Sequence, residues 1–351
     1  MAEIPQRNIP IPEQLNLATY YLEDNIAAGR GNKVAIYYND ERHTFNDLVR
    51  LTNKVGNVLK DLGVEPENRV LLILQDCPEW AASWFATLKI GAVGTHAYTY
   101  LLPDDYEYFL NYTRAKVVVA DQTTIGPIRE AARRSKYPRH ILVMGVPQAK
   151  LEKGECDFNS LVKAASDKLD LEPTHRDDIG FWSFSGGTTG KPKAVPHMNR
   201  DGMIAFHAVT ERVGYTEKDI VLRVSKLFFH YARDMGMNWV FRVGGSVIMF
   251  PERTTAKLMF ELVDKFKPTI LMNVPTMMRA MLQTPPADRR DMSSLRITVG
   301  QRRGIVGPAL QGIEGHFRCG RVESDRICRE HHGFAERRSW KGCTDSLPSD
   351  N

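Results

Sequence analysis

Short, continuously apolar runs recur along this chain, and each is followed by a segment with helical spacing. VLLIL (70–74), KVVVAD (116–121) and HILVMG (140–145) leave no polar face. Strands buried on both sides read this way. Ahead of the first run, Leu48, Leu51, Val55, Val58, Leu59 and Leu62 fall at helical spacing,. Thr44 can cap that helix, with Asp47 three residues on, and Gly63 is placed to end it,. Asp76 and Pro78 start the next helix, which Gly91 ends,. PIREAARRS reads as a helix, whereas 148–176 is polar, weakly patterned and reads as a surface excursion. The alternation then resumes: strand IGFWSFS, helix GMIAFHAVTERVG, strand SVIMF, helix TAKLMFELVDKF, strand TILMNV, helix PTMMRAMLQ and strand LRITV (295–299). This order implies an α/β fold of mostly parallel sheets flanked by helices.

Composition narrows the class without choosing a function. The chain has 351 residues, 42% of them hydrophobic, and a formal charge of +5. That charge is too mild for a nucleic-acid footprint, so no nucleic-acid partner is expected. No apolar run is long enough to span a bilayer, and MAEIPQRNIPIPEQ lacks the regions of a secretory signal,. Five cysteines without a C-x-x-C pair argue for neither a disulfide framework nor a zinc site,. A cytoplasmic protein with free thiols and no metal cluster of its own is expected. His331, His332 and Cys328 are given no site meaning.

One loop carries chemistry. SGGTTGKPKA (185–194) follows the strand IGFWSFS and is read as leading into a helix. Ligands of α/β sheets bind at the carboxyl ends of strands. Glycines let backbone amides approach an anion, threonine hydroxyls add donors, and Lys193 adds a mobile charge. Ser185, Gly186, Gly187, Thr188, Thr189, Gly190 and Lys193 are therefore candidate nucleotide-phosphate ligands. It is not a Walker A loop: Ser185 stands where the first glycine belongs and Pro192 where Ser or Thr belongs,. A flexible turn that binds nothing is the plain alternative.

SGGTTGKPKAV resembles the phosphate-loop signature of the adenylate-forming superfamily, S-[SG]-G-[TS]-[TS]-G-x-P-K-G, with Ala194 in place of the final glycine. TFNDLVRLTNKVGNVLKDLGVEPENRVLLIL, FATLKIGAV, KLFFHYARDMGMNWVFRVGGSVIMFPERTT and KPTILMNVPTMMRAML are similar to further segments of its large domain. NLATYYLEDNIAAGRGNKVAIYY and the KLFF-x-Y spelling resemble the benzoate–CoA ligase branch. The resemblance covers about residues 15–299. It implies activation of an aryl or cyclic carboxylic acid by ATP to an acyl-adenylate, then transfer to coenzyme A, with Mg²⁺ on the phosphates. Thr188, Lys193 and His230 would be catalytic, and Phe229, His230, Tyr231 and Asn273 would line the acid pocket. Packing roles remain open for His230 and Tyr231, and Asn273 reads equally as a residue of the turn that ends its strand. His96, His197 and His207 are read as structural. A homodimer is compatible with the resemblance. A non-catalytic remnant with weak nucleotide binding, or a partner-binding module, remains an alternative.

After Val299 the periodicity stops. The family pattern calls for Ser-Ala-Gly next and Gly-x-[TSA]-Glu further on. Residues 301–308 can be encoded CAG CGC CGG GGG ATT GTC GGG CCC; without the first base this reads Ser-Ala-Gly-Gly-Leu-Ser-Gly. With permitted codons, 315–330 shifts likewise to Gly-Thr-Phe-Gly-Val-Asp-Val-Leu-Asn-Arg-Ile-Gly-Ser-Ala-Glu. Two motifs returning in order point to a one-base frameshift near Gly300. The organisation expected is an incomplete AMP-binding large domain (1–299) and an out-of-frame, poorly packed tail (300–351).

Overall fold

The computed structural model describes residues 9–137, 139–185, 190–300 and the pair 322–323. After the helical segments Thr19–Glu23 and Asp24–Ala27 comes a hairpin of β1 (Val34–Tyr38) and β2 (Glu41–Thr44), joined through Asn39, whose φ of 53° lies in the left-handed region that asparagine tolerates,. One sheet is then built from β3 (Arg69–Ile73), β4 (Val93–His96), β5 (Val117–Asp121), β6 (His140–Met144), β7 (Glu155–Asp157), β8 (Ile179–Ser185) and β9 (Lys193–Met198). A second sheet takes up β10 (Ile220–Arg223), β11 (Ser246–Met249), β12 (Ile270–Asn273), β13 (Ile297–Gly300) and the two-residue β14 (Val322–Glu323), beside β1 and β2. The strand orders are β7-β6-β5-β3-β4-β8-β9 and β14-β13-β12-β10-β11-β1-β2. Among these strands only the β1–β2 and β8–β9 pairs are antiparallel; a single antiparallel bridge joins Gln14 and His175.

The alternation of side chains along each strand assigns the layers. Val70 and Leu72 of β3 face a core shared with Val247 and Met249 of β11 and with the helices Phe45–Asp61 and Pro78–Lys89. Leu71 and Ile73 face the opposite way, onto the helices Pro103–Thr113 and Ile125–Arg134. The outer face of the second sheet, through Leu222, Ile248 and Leu271, is covered by Ala256–Phe266 and Pro275–Gln283. Helices therefore lie between the two sheets and on both outer faces. The parallel α/β architecture is as the alternation implied, divided over two sheets.

Local signals behave as the sequence indicates. Asp47 Oδ2 accepts from the Thr44 amide at 2.9 Å, and Thr44 Oγ1 accepts from the Asp47 amide at 3.2 Å. Both partners of this capping box satisfy a helix-end donor. Gly63 and Gly91 adopt φ of 77° and 71° just past their helices, where a side chain would be strained,. The polar stretch 148–176 differs from the expected surface excursion. It contains the edge strand β7 and the helix Phe158–Ala164, capped by Asp157, which accepts from Asn159 N at 2.9 Å. Three residues at an edge are too few to show period-two patterning.

Charge sits where the two sheets meet. Asp76 follows β3 and is 2% exposed; Arg223 ends β10 and is 1% exposed. Arg223 Nη2 donates to Asp76 Oδ2 at 2.9 Å, and Nη1 donates to the Ile248 carbonyl at 3.2 Å. Asp76 Oδ1 accepts from the Leu227 amide at 3.0 Å. Nearby, Lys226 Nζ donates to the Phe250 carbonyl at 2.6 Å and lies 3.7 Å from its ring centre. Burial pulls the Lys226 amine down to about 8, against the partial support of Asp76.

Two outcomes follow. Asp76→Asn should cost about 3–5 kcal/mol, because a buried guanidinium loses its counter-charge, and Asp76→Asn with Arg223→Met should cost less than the single change. Urea unfolding of the three proteins measures both. Lys226 binds its proton less tightly folded than unfolded, so stability rises with pH between about 8 and its ordinary value near 10.5,. The full window is worth up to about 3 kcal/mol. Lys226→Met should lack this rise, read as the difference between the two proteins' unfolding free energies at pH 7 and pH 10.

Candidate active site

The glycine loop lies inside a β-hairpin. β8 runs antiparallel to β9 from Ile179↔Met198 to Ser185↔Lys193, and the helix Asn199–Val213 begins only after β9. The expected passage from strand directly to helix is corrected here. β9 escapes the sequence because it carries Pro196, which an edge strand tolerates where a central strand would not,. The loop still stands at the carboxyl end of β8. Gly186, Gly187, Thr188 and Thr189 lie outside the described residues. Ser185, Gly190 and Lys193 are exposed at the loop end of the hairpin, with Ser185 Oγ 3.4 Å from the Lys193 carbonyl. A Cβ added at Gly190 would meet nothing within 4 Å among the described residues. Tyr108 braces the hairpin: its hydroxyl donates to the Pro192 carbonyl at 2.6 Å, and its ring lies 4.9 Å from Lys191 Nζ.

Beside this loop is a cavity of about 380 Å³, within the size range of small-molecule sites,. Ser185 lines it and also opens the loop. Phe229 and His230 form part of the wall, with Tyr98, Phe181 and Trp239. Phe229 is 43% exposed and its ring centre lies 5.2 Å from Tyr98 and 4.8 Å from Phe228. Tyr231 is buried nearby, its hydroxyl donating to the Val299 carbonyl at 3.4 Å, and does not line the cavity. Asn273 is buried at the end of β12 and lines a different cavity, with Leu271, Met278 and Met281. Its Oδ1 accepts from the next residue's amide, Val274, at 2.8 Å. The structure thus gathers Ser185, Phe229 and His230, and places Tyr231 and Asn273 apart from them.

Beneath the wall lies a charged group that periodicity did not reveal. The segment Phe228–Trp239 looks apolar but contains Arg233 and Asp234. Arg233 is fully buried, with its guanidinium carbon 4.4 Å from the ring centres of both Trp84 and Phe181. It donates to Asp234 Oδ1 at 2.9 Å and Oδ2 at 3.1 Å, and Asp234 lines the cavity. Arg233 Nη1 is 3.3 Å from His96 Nδ1. A guanidinium can only donate, so His96 Nδ1 accepts and the proton sits on Nε2. Burial first, then the Arg233 guanidinium and the neighbouring His230, holds His96 well below the ordinary histidine value, as a neutral ring. His197 also lines the cavity, stacked 4.8 Å over Phe181, and His207 Nε2 is 3.4 Å from the Tyr20 hydroxyl. Two charged residues inside a run of aromatics and methionines were the signal available for Arg233 and Asp234.

Residues 23–319 match the family described as AMP-binding enzyme. The chain belongs to that family. It is 31% identical over 306 residues to the 4-hydroxybenzoate–CoA/benzoate–CoA ligase of Rhodopseudomonas palustris (strain ATCC BAA-98 / CGA009), covering 87% of this chain and 56% of the relative. It is 30% identical over 290 residues to the benzoate–CoA ligase of Thauera aromatica, covering 82% and 54%. Among solved structures, the anthranilate CoA ligase AuaEII in complex with anthranoyl-AMP superposes with a TM-score of 0.81 at 30% identity, over 88% of this chain and 59% of that one. The chain therefore spans a little over half the length of the relatives it matches. No helix among its described residues is long and apolar enough to cross a membrane.

The link between Arg233 and His96 is open to measurement. Arg233→Met should move the His96 titration upward, toward the ordinary imidazole value, in a histidine-resolved NMR pH series. An unmoved midpoint would remove Arg233 as a cause.

Proposed function

We propose that this chain is the large domain of an aryl-CoA ligase, whose site binds ATP at the glycine loop and an aryl or cyclic carboxylic acid in the adjoining cavity. Ser185 carries the reading, because one residue both opens the phosphate loop and lines the aromatic cavity. A substrate carboxylate in that cavity would attack the α-phosphate; the bond from that phosphorus to the bridging oxygen breaks, and pyrophosphate leaves. The thiol of coenzyme A would then displace AMP to give the thioester. These steps need positioning and charge neutralisation more than covalent help from the protein. Thr188, Thr189 and the amides of Gly186, Gly187 and Gly190 would hold the β- and γ-phosphates, and Lys193 would follow the departing charge. Mg²⁺ would be held chiefly by phosphate oxygens and water, supplying neutralisation of the triphosphate. His230 would stand near the α-phosphate, with Phe229 and Tyr98 packing on the ring. Tyr231 would support the wall from behind, and Asn273 would act through the turn after β12.

A second reading is a remnant that binds nucleotide weakly without turnover, favoured by the loss of the family's sequence pattern after Val299. Pyrophosphate release with ATP and benzoate, hydroxybenzoates or cyclohexane carboxylates separates the two. Release that disappears in Lys193→Ala is the outcome expected of the ligase. ATP binding by equilibrium dialysis without release indicates the remnant, and neither, with one defined protein retained by the full chain, indicates a partner-binding module. We further infer that residues from about 300 onward are read one base out of frame; the DNA from codon 301 onward should read Ser-Ala-Gly in the shifted frame, and codons incompatible with that reading overturn it.

A further inference from the structure

A second cavity, of about 450 Å³, lies at the edge of the first sheet, between the end of the helix Ile125–Arg134 and the start of β7. Its wall carries five basic side chains and two carboxylates: Arg129, Arg133, Lys136, Arg139 and Lys153 with Glu152 and Glu155. Two of the cations are spoken for. Arg129 holds Glu155 at 2.7 and 2.8 Å, and Arg133 holds Glu152 at 3.0 Å through both oxygens. Lys136, Arg139 and Lys153 face no carboxylate within ion-pair distance among the described residues.

Lys136 and Lys153 are exposed, and a solvated surface would account for them. Arg139 is different. Its Nη2 donates to Ser135 Oγ and to the Tyr137 carbonyl, but its Nη1 is buried and has no partner among the described residues. A buried guanidinium nitrogen without an acceptor is costly, and the group best able to satisfy it is an oxyanion. Burial alone, with no opposing carboxylate, pulls this guanidinium down to about 10. Tyr137 and Ile141 give the same cavity an apolar side.

The place is far from the glycine loop along the strands. Residues 135–139 precede β6 and Gly154 precedes β7, so this cavity sits at the amino ends of the sheet's parallel strands. Ser185 ends β8, which runs parallel to β4 in the same sheet. One ligand does not reach both ends.

We propose that this cavity binds a doubly charged phosphate, free or as the monoester of a small organic molecule, with Arg139 as its central contact and Lys136 and Lys153 closing over it. The proposal is independent of the ligase reading.

Equilibrium dialysis of labelled inorganic phosphate against the full chain, at ionic strength fixed with chloride, tests it. Saturable binding should weaken about tenfold in Arg139→Gln, the loss of one strong charge-assisted contact. It should weaken also in Lys136→Gln with Lys153→Gln, and the binding that these cavity variants weaken should persist in Lys193→Ala, which alters only the glycine loop. The lysine double variant decides the matter if Arg139→Gln does not fold. Phenyl phosphate that displaces the label at lower concentration than inorganic phosphate identifies a monoester, and equal or weaker displacement identifies the free ion. Absence of saturable binding, or binding lost in Lys193→Ala and kept in both cavity variants, overturns the proposal.

Discussion

A single buried carboxylate ties the two halves of this molecule together. Asp76 leaves the end of β3, a central strand of the first sheet, and meets Arg223 at the end of β10, a central strand of the second. Its other oxygen takes the Leu227 amide, at the head of the segment that carries Phe229 and His230. The desolvation of two such charges offsets most of their attraction, so the pair adds little net stability compared with apolar packing. What it fixes is direction. Other placements of β10 against β3 would leave a buried charge without its partner. The position of the cavity wall relative to the glycine loop is inherited from that contact.

Space around the pair is as constrained as charge. A Cβ at Gly236 would come within 3.0 Å of Arg223 Cδ and Met272 Sδ, so the helical turn behind the wall must pass with no side chain at that point. Arg233, three residues earlier, turns to the other side and fills the slot between Trp84 and Phe181. Its charge is cancelled by Asp234 and its free face is spread over two aromatic rings, which accept a guanidinium at modest cost. The aromatic wall thus rests on two buried ion pairs, one orienting the sheets and one orienting the cavity floor.

The architecture was legible because parallel strands buried on both faces leave continuous apolar runs, and β3, β5 and β6 do so. Caps were legible because Thr44 and Asp47 act within three residues of each other. What escaped were elements whose reason lies far away in sequence. β4 reads poorly as a strand because Gly94 interrupts it, yet a Cβ there would come within 2.6 Å of the Trp84 ring, so helix packing demands the glycine. β10 is only four residues and ends in an arginine whose carboxylate is 147 positions away. At the site, Ser185, Phe229 and His230 could be named from the family spelling, whereas Arg233 and Asp234 needed the folded partners to give two charges in an apolar run a meaning.

The hairpin changes how an anion would be held at the loop. A phosphate loop that feeds directly into a helix draws on the helix's positive end. Here six residues of β9 intervene, and the first turn of the helix Asn199–Val213 is already engaged, since the Asn199 and Arg200 amides donate to the carbonyls of Asp178 at 3.0 Å and Arg176 at 2.9 Å. Lys191 is drawn over Tyr108. Under the proposed function, positive charge for a polyphosphate would come from Lys193, which pairs with Ser185 at the loop end of the hairpin. The tail of the nucleotide would be held by a flexible cation and a brace at Pro192 rather than by a fixed dipole. The exact register of β8 against β9 therefore matters more to this site than the helix that follows it, because sliding that register by one residue would turn Lys193 to the opposite face of the sheet.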